Sequence, residues 1–296
     1  MALGVTTSGA GIAEGSSLTV EQVIKILVQP LQAASIFLST PGLQIFDTDG
    51  SPVRVPKQAP PTDSGLVFTG ENVAIPEDDF QFGQLSLLPS TMKSVKTLTR
   101  FSNELARQSV VAVDQAIQSR LVTDVAARVD TALIASAVVD GTSPTGILTY
   151  PGTQVMAAVG TISVDTLYDA ESLALIANVN ADNLRWMMRP ETWTRIRKLK
   201  TTQGDYLVQP NPTLGAPKQL LGYPVTITPR IPIATTTKAL LWDPTNVAVA
   251  RDMAPSVRVL TERYAEFDQQ AVRVVARYDA GPLNAQAVVR LDAITL

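Results

Sequence analysis

Histidine and cysteine are both missing from the 296 residues, so carboxylates, lysine, tyrosine, serine and threonine are what remains for chemistry. That excludes a thiolate nucleophile, a disulfide framework, a Ser-His-Asp triad and a conventional zinc site. Asp47 and Asp49 in DTDG share part of a calcium loop, but Gly50 falls too early and no ligand Glu follows in place. Glu77, Asp78 and Asp79 are adjacent acids that an extended chain points in alternating directions, which favours a solvated turn over a metal site. Gly9, Gly11 and Gly15 lack the spacing and the preceding strand of a phosphate loop. Asp243 and Glu262 come nearest to a carboxylate pair for glycoside hydrolysis, and no motif surrounds them. Arg195, Arg197, Lys198 and Lys200 form the one basic cluster. They fall in the last turns of a predicted helix, where positive charge complements the dipole. A solvated helix end, an intersubunit salt bridge and an incidental phosphate contact are the readings open to it. No catalytic, cofactor-binding or metal residue is assigned, and the balance moves towards a binding or structural protein.

The elements around these residues describe a globular chain. Hydrophobic residues make up 45% and charged residues 17%, with a net charge of −3. That charge and a pI near 5.1 argue against coating nucleic acid by charge alone. No run approaches the roughly 18 apolar residues of a membrane helix. The first twenty residues lack the positive start and apolar centre of a secretory signal. The segment from Thr19 to Phe37 predicts a short amphipathic helix with Val23, Ile24 and Leu27 on one face, ended by Pro30.

Ser102 to Ala137 contains neither Gly nor Pro and predicts one long helix, capped by Ser102 and stopped near Gly141. Leu105, Val113, Ile117, Leu121, Val125 and Leu133 supply its apolar stripe, and its length would be about 50 Å. QIF and SPVRVP about Asp49-Gly50 predict a hairpin. Residues 57–90 carry four prolines, and 66–68 with 80–88 predict the arms of a long, loosely turned hairpin. Phe68, Phe80 and Phe82 are too large for so thin a segment to bury. The Gly/Pro-rich stretch after residue 137 is the preferred domain boundary. Asp165 is expected to cap the next helix, with Leu167, Ala170, Leu173, Ala174 and Ala177 inward. LRWMM then reads as a buried strand, and Pro190 starts a helix with Trp193, Ile196 and Leu199 on one face. GYPVTIT, KALLWD, NVAVARD, SVRVLTE, QAVRVVARY and QAVVRL predict separate strands, so the fold class is α+β.

Taken in order, these landmarks resemble the tailed-phage major capsid protein family with the Hong Kong 97-type fold. The segments that carry the resemblance are FTGENVAIPEDDFQFGQLSLLP at 68–89, TLTRFSNELARQS at 97–109, VDTALIAS at 129–136 and PTGILT at 144–149. LRWMMRPETWTRIRKLKTTQGDYLVQP at 184–210, LLGYPVTIT at 220–228 and EFDQQAVRVVARYDAGPLNAQAVVRL at 266–291 complete it.

The resemblance implies an N-terminal arm at 1–50, an extended β-hairpin loop at 51–90, a peripheral domain from 91–144 and 252–296 with a spine helix at 102–137, and an axial domain at 145–251. It further implies self-assembly into pentamers and hexamers that form an icosahedral shell around double-stranded DNA. An encapsulin, a bacterial compartment shell on the same fold, is the alternative. The partners implied are further copies, with separate scaffolding, portal and decoration proteins as additional ones; DNA is held without sequence-specific binding, no membrane is involved, and the location is the virion shell, assembled in the host cytoplasm. The interface residues singled out are Phe68, Phe80, Phe82, Glu77, Asp78, Asp79, Arg195, Arg197 and Lys198. Because the arm-like segment starts almost at Met1, any scaffold is expected to be a separate protein or absent. Family members that cross-link themselves pair a loop Lys with an Asn. Here the loop has only Lys57, with Gln270 in the Asn place and Arg277 near the assisting Glu, so non-covalent locking is expected.

Overall fold

A computed structural model describes residues 35–49, 51–58, 68–74, 82–88, 93–104, 113–135, 143–208, 218–260 and 262–295. Two sheets and three helices organise them. The first sheet has the order β1-β10-β11-β4, built from Gln44–Asp47, Val247–Leu260, Gln269–Pro282 and Ser94–Ser102. β1 runs parallel to β10; the other pairs are antiparallel. The second has the order β5-β12-β9-β6-β8-β7, from Gln154–Met156, Val288–Thr295, Thr236–Trp242, Arg185–Met188, Tyr223–Ile227 and Gln219–Leu220. A separate hairpin joins β2 (Val53–Gln58) to β3 (Phe82–Leu87).

α1 (Val113–Ala135) lies against β4, β10 and β11. Its inward stripe is Ile117, Leu121, Val125, Val129 and Leu133, every fourth residue, as the sequence periodicity requires. Residues 103–104 are also helical, so the expected span 102–137 is helical wherever it is described, apart from Ser102, the last residue of β4. Ser102 still accepts the Glu104 amide at 3.2 Å. At 23 residues, α1 is about 34 Å long.

The second sheet is covered on both faces, which is why its strands read as continuous apolar runs. Trp186, Met188, Ala239, Leu241, Val289 and Leu291 face α2 (Val164–Ile176) and α3 (Pro190–Arg197). Met187, Leu240, Trp242 and Val288 face the other way, into the core under α1. The two sheets therefore share one core. The α2 cap is Ser163, whose hydroxyl accepts the Thr166 amide, while Asp165 sits in the first turn rather than at the cap. Tyr223 of β8 donates to Glu171 of α2 at 2.6 Å. Burial, followed by that carboxylate, pushes the phenol up to about 12, so it stays a donor.

Several expectations are corrected. β1 and β2 do not form a hairpin about Asp49-Gly50: β1 pairs with β10 and β2 with β3, because each finds an apolar partner elsewhere. The strand at 82–87 is in register with 53–58, and the arm expected at 66–68 lies, but for Phe68, outside the described residues. NVAVARD and SVRVLTE form one strand, β10. Its register shifts between Arg251 and Met253 and again between Met253 and Ser256, and the second shift absorbs Pro255, which has no amide to donate. The stretch expected as a linker contributes Ile147 and Leu148 to the core, both 1% exposed. The last strand, β12, hydrogen-bonds into the six-stranded sheet, whereas β10 starts at Val247 in the four-stranded one. The chain thus crosses between sheets at about 246 and again after Pro282.

Of the segment read as an arm, 1–34 lies outside the described residues, as does nearly all of the expected first helix, whereas 35–47 is built into the body. Phe37 is fully buried and stacks on Trp242, with ring centroids 5.5 Å apart and 7° between planes. Beside it, Asp130 of α1 accepts from the Ser35 hydroxyl at 2.6 Å and the Ile36 amide at 2.8 Å. At the other end of the sheet, Asp279 accepts Lys93 at 2.9 and 3.0 Å and the Leu88 amide at 2.9 Å. Leu88 is left-handed at φ 49°, a strained backbone for leucine that this bond helps hold.

Phe37→Ala should lower stability by about 3–5 kcal/mol in urea unfolding, since it empties a buried aromatic site. Burial pushes the Asp130 carboxyl above its ordinary 3.8, and the Ser35 and Ile36 hydrogen bonds and the Arg230 charge only partly oppose this. A raised carboxyl binds its proton more tightly in the folded state. Its contribution is fullest below 3.8 and declines as pH climbs through the raised value. Asp130→Asn, which keeps an acceptor but cannot ionise, should therefore gain stability relative to wild type as pH rises through that window. A difference that stays constant across the acidic range would contradict this.

Candidate interaction surfaces

Of the carboxylates weighed for chemistry, Asp47 and Asp243 are occupied structurally. Asp47 binds Arg251 through both oxygens, at 2.6 and 2.8 Å, and that hydrogen bonding holds its carboxyl below the ordinary range. Asp243, 1% exposed, accepts the Thr245 amide and hydroxyl and the Asn246 side chain at 2.7–2.9 Å. It sits before β10 and the exposed Glu262 after it, so fourteen residues of strand hold them about 45 Å apart. Paired glycosidase carboxylates need about 5–10 Å, so this pair cannot act together. Among the described residues no group of three or more acids is placed to hold a metal ion, and no helix is long and apolar enough to cross a membrane.

The residues singled out for interfaces fall on two separate parts of the molecule. Phe68 is fully exposed, and Val73 close by is 61% exposed. Phe82 opens β3 opposite Gln58. Glu77, Asp78, Asp79 and Phe80 lie outside the described residues. Arg195 and Arg197 close α3, and Lys198 is its C-cap, donating its amide to the Thr194 and Arg195 carbonyls. Arg195 and Lys198, with Glu191, Thr194, Ile162 and Leu199, line an open cavity of about 620 Å³. Lys200 lies over the Tyr206 ring at 5.0 Å. The hairpin base packs on the four-stranded sheet while α3 packs on the six-stranded one, so the described members of the two groups lie apart.

Two surfaces escaped the sequence reading. Tyr168, Leu175 and Ile176 are exposed on the outer side of α2, 55%, 45% and 74% respectively. Their signal was present, since they fall outside the Leu167, Ala170 and Ala174 face. The other is a row of arginines on the four-stranded sheet, visible only once the strand register is known.

Among the described residues, the hairpin is attached at its base. Leu85 and Leu87 pack with Ala248 and Ala250 and approach Gly281 so closely that a Cβ there would lie 3.1 Å from Leu85.

Residues 18–293 match the model of the Phage capsid family. A search of the curated proteins found no match. Among solved structures, the capsid of a native GTA particle computed with C5 symmetry is 20% identical with a TM-score of 0.78, covering 96% of this chain and 98% of that one. The Microbacterium phage Oxtober96 structure is 13% identical with a TM-score of 0.77, covering 95% and 98%. That of Mycobacterium phage Adephagia is 15% identical with a TM-score of 0.74, covering 98% and 99%. The match over nearly the whole chain favours the phage shell over the encapsulin alternative. The chain belongs to the phage capsid family and is a major capsid shell protein with the Hong Kong 97-type fold.

Proposed function

We propose that copies of this chain assemble into pentamers and hexamers that close an icosahedral head shell around double-stranded DNA. The observation that carries this is the agreement in fold, over 96% of the chain, with a GTA capsid whose particle was computed with five-fold symmetry. In this reading the four-stranded sheet with α1 is the peripheral domain, and the six-stranded sheet with α2 and α3 is the axial domain that meets its copies at each capsomer centre. The protein acts as a scaffold and catalyses nothing. Its place is the virion shell, assembled in the host cytoplasm, and separate scaffolding, portal and decoration proteins are its further partners.

The physical logic is additive. Phe68, Phe80 and Phe82 on the loop, with the acid run Glu77-Asp78-Asp79, contact a neighbour, and Arg195, Arg197 and Lys198 contact another around the capsomer axis. Each such contact is modest, but in a closed shell every copy is held by several at once, and multivalency makes the whole stable. A chain of net charge −3 suits a container that must release its DNA.

Purified protein should form uniform closed particles by negative-stain imaging, and Ala116→Pro should abolish them by breaking α1, at a cost of about 3 kcal/mol or more. Monomers only from the wild type, or normal particles from the variant, would overturn this reading. Locking is non-covalent: Lys57 lies across Gly83 of its own hairpin, and Arg277 pairs with Asp252 at 2.8 Å. Assembled particles boiled in detergent should therefore run as a single monomer band on a denaturing gel, and a ladder of multimers would refute it.

A further inference from the structure

α2 carries a second stripe that the core does not use. Leu167, Ala170 and Ala174 face the six-stranded sheet. Asp165, Tyr168, Asp169, Ser172, Leu175 and Ile176 are all exposed, and their spacing of three and four residues sets them on one side of the helix, turned away from the sheet. A helix face left in water is ordinarily polar along its length. This one is acidic in its first two turns and apolar in its last. Among the described residues neither Asp165 nor Asp169 enters an ion pair. The helix dipole accounts for an acid at Asp165. It does not account for three large apolar groups in water beside the two acids.

The cavity beside α3 has the complementary character. Its lining joins the apolar Ile162, Pro190 and Leu199 to the cations Arg195 and Lys198. Arg195 stands four residues after Glu191, the spacing of an intrahelical ion pair. Arg189 takes both Glu191 oxygens instead, at 3.0 and 3.1 Å, and is itself fixed by the Pro229 and Ile231 carbonyls. Among the described residues Arg195 and Lys198 are therefore left without an acid. Leu207, 46% exposed, donates its amide to the Leu199 carbonyl and extends the apolar surface past the cavity. The α2 stripe cannot fill this cavity in its own subunit. The lining includes Ile162, two residues before α2 begins, and α2 is held on the sheet by its buried face and by the Tyr223–Glu171 hydrogen bond. Its outward face thus cannot turn into a cavity at its own start, although a second copy can present one.

We propose that the outer face of α2 in one copy seats in the α3 cavity of the next, with Tyr168 as its aromatic anchor and Asp165 and Asp169 against Arg195 and Lys198. This rests on the homomeric shell reading and names the acid-bearing helix that the α3 cations meet. The two surfaces differ, so the contact is heterologous: each copy offers one and receives the other, and successive copies close a ring. A buried tyrosine flanked by charge pairs is the usual make-up of an energetic centre in an interface. The opposed charges set the register of the contact and exclude wrong neighbours.

Cross-linking tests it cleanly, because the chain has no cysteine of its own. Asp169→Cys with Lys198→Cys in one chain, oxidised after assembly, should give a ladder on a non-reducing denaturing gel that ends at pentamers and hexamers. Either cysteine alone should stay a monomer band, since in a heterologous contact neither position meets its own copy. A ladder that stops at dimers, or monomers only from assembled particles of the double variant, overturns the proposal. Tyr168→Ala serves if the double variant does not assemble. At an exposed position it should leave the melting of the subunit unchanged, yet cut the shell yield of purified protein about tenfold or more. Normal yield from that variant overturns the proposal and leaves the α2 face to a different protein. Absence of shells from the wild type would instead refute the homomeric reading itself.

Discussion

The structure depends on one seam, where Phe37 stacks on Trp242 beneath α1. Trp242 ends a strand of the six-stranded sheet, and Val249, Val272 and Val274 in the same core belong to the four-stranded one. Because side chains of both sheets and of the helix meet there, each sheet has one apolar face that does not close without the other. The two halves thus form one stiff unit, and the chain crosses between the sheets three times, between β4 and β5, at about 246 and after Pro282. A tile in a thin wall needs that stiffness, since bending at a hinge would spread strain through every contact.

Buried carboxylates do the fastening. Asp130 holds the entering chain, Asp243 the turn before β10, and Asp279 the base of the hairpin, each by accepting hydrogen bonds from groups far apart or newly turned. Burial of a carboxylate is costly unless several donors surround it, and here each carboxylate has at least two. Asp243, one of the acids weighed for chemistry, is consumed in this way. The role of such carboxylates as acceptors at chain crossings explains why a protein without histidine or cysteine still buries acids.

The hairpin obeys the opposite rule. It is fixed at its base by Asp279 and by close contact with Gly281, and Phe68 in its loop is fully exposed. Such exposure is a liability on an isolated subunit and useful where every copy covers its neighbour.

Much of this was legible in the sequence, where the physical signal is local. The α1 stripe, the Pro190 start of α3, the two-faced apolar runs of β6 and β9 and the α+β class all follow from periodicity and the habits of proline within a few residues. The missing histidine and cysteine excluded most catalytic designs outright. What the sequence could not settle was pairing. Asp49-Gly50 looks like a hairpin turn, but whether β1 pairs with β2 or with β10 depends on a strand two hundred residues away. β10 reads as two strands because Pro255 interrupts it, and only the register with β11 shows the bulge that absorbs the proline. Likewise Arg258 and Arg273 sit in separate valine-rich runs and become a like-charged pair only when those runs are laid side by side. Local chemistry determined the elements, while long-range hydrogen bonding and the shared core decided their partners, because pairing energy depends on surfaces that no short window of sequence contains.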